Sequence, residues 1–110
     1  MEVTRLFDLL PHYDKYFPKE DAVCGKENGV WVRYSTKEYI EKVNYISYGL
    51  MQLGIKKGDR IASISNNRPE WNFLDMAIQQ LGAIHVTIYP TMSEREYRYV
   101  LQHADIKMIF

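Results

Sequence analysis

Cysteine is nearly missing: Cys24 is the only one in 110 residues. That excludes an internal disulfide framework and any cysteine-built metal site within the chain. A single cysteine of this kind is expected to sit as a small buried apolar side chain. Charge of one sign is missing too, because 14 Lys and Arg offset 14 Asp and Glu. No net field draws the chain to nucleic acid or to an anionic membrane. No apolar run approaches the roughly 18 residues of a transmembrane segment. Met1 is followed by Glu2, Arg5 and Asp8 and not by an apolar signal core, so the expected setting is the cytoplasm.

Several chemical signatures are absent as well. The turn after the first expected parallel strand reads Ser65-Asn66-Asn67-Arg68-Pro69-Glu70-Trp71, without the glycines of a dinucleotide-binding turn. Lys57-Gly58-Asp59 precedes a strand and not a helix, so it reads as a plain turn and not as a phosphate loop. A phosphoacceptor would need carboxylates at the strand ends to hold Mg²⁺, and Ser65, Tyr89 and their successors supply none. His12, His85 and His103 fall in three different elements without ligand spacing, and no metal site is expected. His85 reads as an in-sheet side chain with one satisfied nitrogen. A Ser-His-Asp hydrolase is discounted because no Gly-x-Ser-x-Gly elbow is present.

What is present is a regular alternation of elements. Residues Thr4 to Phe17 carry Leu6, Phe7, Leu10, Tyr13 and Phe17 near helical spacing, with Pro11 expected to end or kink the helix. Ala22 to Lys26 and Val30 to Tyr34 flank Glu27-Asn28-Gly29, the pattern of a β-hairpin. Ser35-Thr36-Lys37-Glu38 is a capping box. It opens a helix whose stripe is Ile40, Val43, Ile46, Leu50 and Leu53, with Gly54 as its left-handed stop. Residues 60–65 read as a buried strand. Pro69 then starts a helix with Trp71, Leu74, Ala77, Ile78 and Leu81 on one face. Residues 83–89 are the next strand, and Ser93-Glu94-Arg95-Glu96 caps a helix striped by Tyr97, Val100, Leu101 and Ala104. Residues 106–110 form a last strand. The tyrosines at helical spacing, including Tyr39, Tyr45, Tyr48, Tyr97 and Tyr99, read as core or interface packing.

Helices between strands favour right-handed crossovers and a parallel sheet. The expected fold is therefore α/β: a partial doubly wound parallel sheet of three strands, preceded by a β-hairpin. Residues 1–34 form a helical segment and hairpin, and residues 35–110 a half-sheet that reads as truncated, since the last strand meets Phe110 without a turn signal. A half-sheet leaves apolar surface or a bare edge strand, to be covered by a missing remainder or by self-association. Ligands of open α/β sheets bind outside the carboxyl ends of the strands. This directs attention to Asn66-Asn67-Arg68-Pro69-Glu70-Trp71 and to Tyr89-Pro90-Thr91-Met92-Ser93, although turn and cap chemistry accounts for both loops equally well.

A more specific likeness lies in the order of short motifs. Tyr34-Ser35-Thr36-Lys37-Glu38-Tyr39, then Leu53-Gly54-Ile55-Lys56-Lys57-Gly58-Asp59-Arg60-Ile61-Ala62, then Asn67-Arg68-Pro69-Glu70-Trp71, Gly82-Ala83-Ile84 and Tyr89-Pro90-Thr91 together resemble the amino-terminal region of adenylate-forming acyl-CoA synthetases. The Asn-Arg-Pro-Glu-Trp form most resembles the long-chain fatty acid–CoA ligases, and the likeness runs from Val30 to Phe110. The resemblance implies a parent ligase that joins a fatty acid to ATP as an acyl-adenylate and then passes the acyl group to CoA, with Mg²⁺ on the phosphates. In that family the phosphate loop, the magnesium-binding glutamate, the ribose-binding aspartate and the catalytic lysine all lie further along the chain. The resemblance therefore implies an inactive amino-terminal fragment with no catalytic residue and no cofactor of its own. Its partner would be the rest of the parent chain, and peripheral membrane contact belongs to the parent. Asn67, Arg68 and Trp71 are expected near the acyl-binding or loop-packing side of the parent. Two rival readings stand beside this one: a self-standing α/β protein-interaction module, and a piece of an enzyme that adenylates an aryl or amino acid.

Overall fold

The computed structural model describes residues 2–110. A single 3₁₀ turn, Leu6–Asp8, runs directly into α1 (Leu9–Tyr16). The expected break at Pro11 does not occur. Pro11 is the third residue of α1, where the backbone N–H has no intrahelical acceptor to lose, so the helix continues past it. Asp8 ties down the entry: its Oδ2 accepts from the Thr4 and Arg5 amides at 3.2 and 3.0 Å, and its Oδ1 pairs with Arg5 Nη2 at 2.8 Å.

The hairpin forms as read. Strands β1 (Val23–Glu27) and β2 (Val30–Tyr34) pair antiparallel from Val23↔Tyr34 to Glu27↔Val30. The two loop residues, Asn28 and Gly29, have φ of 50° and 78°, the left-handed pair that a two-residue turn between twisted strands demands. Cys24 is exposed and not buried. Val23 and Gly25 are half-buried, so period-two alternation turns Cys24 to solvent.

Helix α2 (Thr36–Gln52) starts on the anticipated box. The Glu38 amide donates to Ser35 Oγ at 3.1 Å, and the Ser35 amide donates to Glu38 Oε1 at 3.0 Å. Gly54, at φ 86°, ends it. Val43 and Leu50 enter the core and Ile40 and Ile46 pack against it, but Leu53 stays exposed. Of the tyrosines on this helix, Tyr39 packs edge-on against Phe73, whereas Tyr45 and Tyr48 face solvent, as does Tyr99 further on.

The second half is β3 (Arg60–Ile64), α3 (Pro69–Gln80), β4 (Ile84–Ile88), α4 (Glu94–His103) and β5 (Met108–Ile109). The strands form one parallel sheet in the order β4-β3-β5. Ile61, Ala62 and Ser63 of the middle strand are all buried, as a strand covered on both faces requires. The last strand is shorter than the expected 106–110. Its pairing with β3 is prolonged by backbone bonds from Lys107 to Arg60 and between Phe110 and both Ala62 and Ile64, at 2.9 to 3.0 Å.

Helix α3 lies between α2 and the sheet, so it buries more than the single stripe anticipated. Phe73, absent from that stripe, is 2% exposed and takes Tyr34 and Tyr39 edge-on at 5.1 and 5.4 Å. Ser47 of α2 donates to Gln80 Oε1 at 2.8 Å, satisfying a buried hydroxyl across the helix pair. The core is Leu10, Val43, Leu50, Ile55, Ile61, Phe73, Ala77, Ile78 and Ala83. No residue of α4 is buried. No helix among the described residues is long and apolar enough to cross a membrane.

Candidate functional site at the ends of the parallel strands

Ile64 of β3 pairs with Ile88 of β4, so the loops that follow these two strands emerge side by side. In the first, Arg68 is extended (φ −160°, ψ 157°) because the Pro69 ring excludes the helical region for the residue before it. Pro69 occupies the first helical position, where no N–H is needed. The Trp71 amide then bonds the Arg68 carbonyl at 3.1 Å. In the second loop, Tyr97 Oη donates to the Tyr89 carbonyl at 3.0 Å, holding the turn after Pro90 against α4.

Asn67, Arg68 and Trp71 do not share one pocket. Asn67 and Arg68 line a cavity of about 440 Å³ between the hairpin and the start of α3, together with Lys26, Trp31, Tyr34 and Glu70. Trp71 lines another, of about 350 Å³, with Ser63, Ile64, Leu74 and Phe110. Together with Glu70, Arg68 lines both. Its Nε donates to Glu70 Oε2 at 2.9 Å, and that bond raises the guanidinium pKa and lowers the carboxyl pKa. Both partners are partly exposed, so the pair serves mainly to orient Arg68. In the first cavity burial raises the Tyr34 hydroxyl, and the charge of Glu70 adds to the effect. The first cavity thus carries charges of both signs. The second is lined by an indole, two aliphatic side chains and a phenyl ring, together with two serines and the same Arg68 and Glu70 pair.

One constellation escaped the sequence. Ser63 Oγ lies 2.7 Å from His85 Nε2, and His85 Nδ1 lies 2.7 Å from Asp75 Oδ1. Both ring nitrogens are therefore engaged, not one. The three residues come from β3, β4 and α3, and no local motif could have joined them. The available signal was a polar residue within each of two expected parallel strands, Ser63 and His85; the pairing sets His85 opposite Ile61, two residues before Ser63. No group of three or more metal-ligating side chains occurs among the described residues.

The AMP-binding enzyme family matches the chain over residues 12–110. The long-chain-fatty-acid–CoA ligase FadD15 of Mycobacterium bovis is 37% identical over 83 residues, which are 76% of this chain and 14% of that protein. Fatty acyl-CoA synthetase A of Dictyostelium discoideum is 38% identical over 79 residues, 72% of this chain and 12% of its own length. The crystal structure of IdnL1 superposes with a TM-score of 0.90 at 19% identity, covering 99% of this chain and 22% of that one. The chain thus spans about an eighth of the length of these curated relatives. By sequence over nearly its whole length and by fold, the chain belongs to the AMP-binding enzyme family.

Proposed function

We propose that this chain is the leading part of a cytoplasmic ATP-dependent acyl-CoA synthetase that acts on a long-chain fatty acid. The observation that carries the reading is the likeness to fatty acyl-CoA ligases at more than a third identity over about three quarters of the chain. In the proposed reaction the fatty acid carboxylate displaces pyrophosphate at the α-phosphorus of ATP, and the CoA thiol then displaces AMP from the acyl-adenylate. The chain's own residues do not fit the nucleotide or Mg²⁺. Its strand-end loops offer one guanidinium, already engaged by Glu70, and no paired carboxylates. No step through ATP, Mg²⁺ or CoA is therefore assigned to it.

The part it plays is structural and, at the Trp71 cavity, selective. Ile64, Trp71, Leu74 and Phe110 give that cavity apolar surface of the kind a hydrocarbon chain would pack on, beside the Arg68 and Glu70 pair. The test is fatty-acid-dependent exchange of pyrophosphate into ATP by the full-length protein and by residues 1–110 alone. Exchange with palmitate by the full-length protein, and none by the 110 residues, is expected. Exchange driven only by an aryl or amino acid would replace the substrate class. No exchange with any carboxylate would leave the interaction-module reading in its place.

A further inference from the structure

The Asp75, His85 and Ser63 side chains form a relay in the order found in hydrolytic triads, yet they cannot work as one. Ser63 lies near the carboxyl end of β3, the central strand of the sheet, and is 2% exposed. Its backbone is committed to the sheet, so no free amides remain beside it to receive an oxyanion. What the relay does is fix a ring. The Asp75 carboxylate accepts the Nδ1 proton, which leaves Nε2 to accept from the Ser63 hydroxyl, and Gln79 Nε2 holds the second Asp75 oxygen at 3.1 Å. The His85 side chain is only 4% exposed. The Trp71 indole, one helical turn before Asp75, rests against the imidazole with ring centres 5.3 Å apart. Trp71 and Ser63 are two walls of the same cavity, and the relay therefore fixes both.

We propose that Asp75 and His85 are positioning residues that set the depth of the Trp71 cavity, and through it the acyl chain length the enzyme prefers. This rests on the functional reading above. Two arms separate the failure of one from the failure of the other. In the first, the chain carrying Trp31→Phe, so that Trp71 is its only tryptophan, is compared with and without Asp75→Ala by indole emission and acrylamide quenching. Asp75→Ala is expected to shift the emission to the red and raise quenching, and Asp75→Asn, whose amide oxygen still accepts from Nδ1, is expected to restore both. In the second, the full-length protein is assayed with palmitate and octanoate. Asp75→Ala is expected to change the ratio of their kcat/KM values by about five-fold, mainly through KM, with recovery in Asp75→Asn.

An unmoved Trp71 emission, or a moved emission with an unchanged ratio, overturns the proposal. Should Asp75→Ala fail to fold, Gln79→Ala, which removes the hydrogen bond to the second Asp75 oxygen and leaves the cavity lining untouched, carries the same comparison. Loss of exchange with every fatty acid in the unsubstituted protein sinks the functional reading, and with it the chain-length claim.

Discussion

Gly25 and Pro69 stand so close that a Cβ on residue 25 would lie 2.6 Å from Pro69 Cδ and 2.8 Å from Cγ. The hairpin is thereby seated on the first residue of α3, and the proline ring cannot swing aside as a flexible side chain would. Gly25→Val is expected to cost about 1–3 kcal/mol in urea unfolding, as overpacking of a rigid contact does. It should also loosen the cavity that Asn67 lines. A variant as stable as the parent would show that the hairpin can slide on α3.

The two capping boxes should respond differently to the same change. Ser35 caps α2, which carries Val43 and Leu50 into the core, whereas Ser93 caps α4, which buries no residue. Ser35→Ala is expected to lower global stability by about 1 kcal/mol. Ser93→Ala should instead speed amide exchange within residues 94–103 and leave the unfolding midpoint nearly unmoved. Equal losses of midpoint would contradict this division.

Asp8 should titrate far below an ordinary carboxyl. Hydrogen bonds from the Arg5 side chain, joined by the Thr4 and Arg5 amides, hold its pKa down at about 2. Because the folded value is depressed, the contribution to stability is complete above the ordinary carboxyl range near 4 and fades as pH falls through about 2. Carboxyl-carbon NMR should place the midpoint there, and Arg5→Gln should move it up toward the ordinary range. A midpoint near 4 in the unsubstituted chain would remove the ion pair.

Self-association should follow from the sheet edge. Ile109 on β5, Phe110 just after it, and Ile84 on β4 are each about half exposed along the two outer strands. Sedimentation at rising concentration is expected to show dimers of the 110-residue chain, weakened by Ile109→Lys, since an edge charge blocks strand addition. A monomer at every concentration would count against it.

Periodicity made most of the fold legible before any coordinates. Both capping boxes, the Asn28-Gly29 turn, the Gly54 stop and the helix–strand alternation are local effects, and local chemistry writes them plainly. What differs from the sequence pattern has another cause. Pro11 is a helix breaker by type, but its place in the first turn of α1 removes the penalty. Cys24 belongs to a usually buried residue type, but a hairpin with one wet face turns it outward. Phe73 lies off the one-sided stripe, and nothing local says that α3 will be covered on two sides. In the candidate site, the loop 66–71 could be found from strand ends alone, but its division into two cavities depends on where the hairpin lands. The Asp75, His85 and Ser63 relay depends on strand pairing and was out of reach of any spacing rule.

The pairing of β3 with both of its neighbours carries a consequence for synthesis. Arg60 to Ile88 already contains two strands, their crossover helix and the Asp75, His85 and Ser63 contacts. This unit can close on the ribosome as soon as Ile88 clears the exit tunnel. Residues 94–110 then arrive at a preformed edge of β3, beginning where Lys107 reaches Arg60. In this order the nascent chain would hold every other residue that lines the Trp71 cavity before Phe110 has emerged.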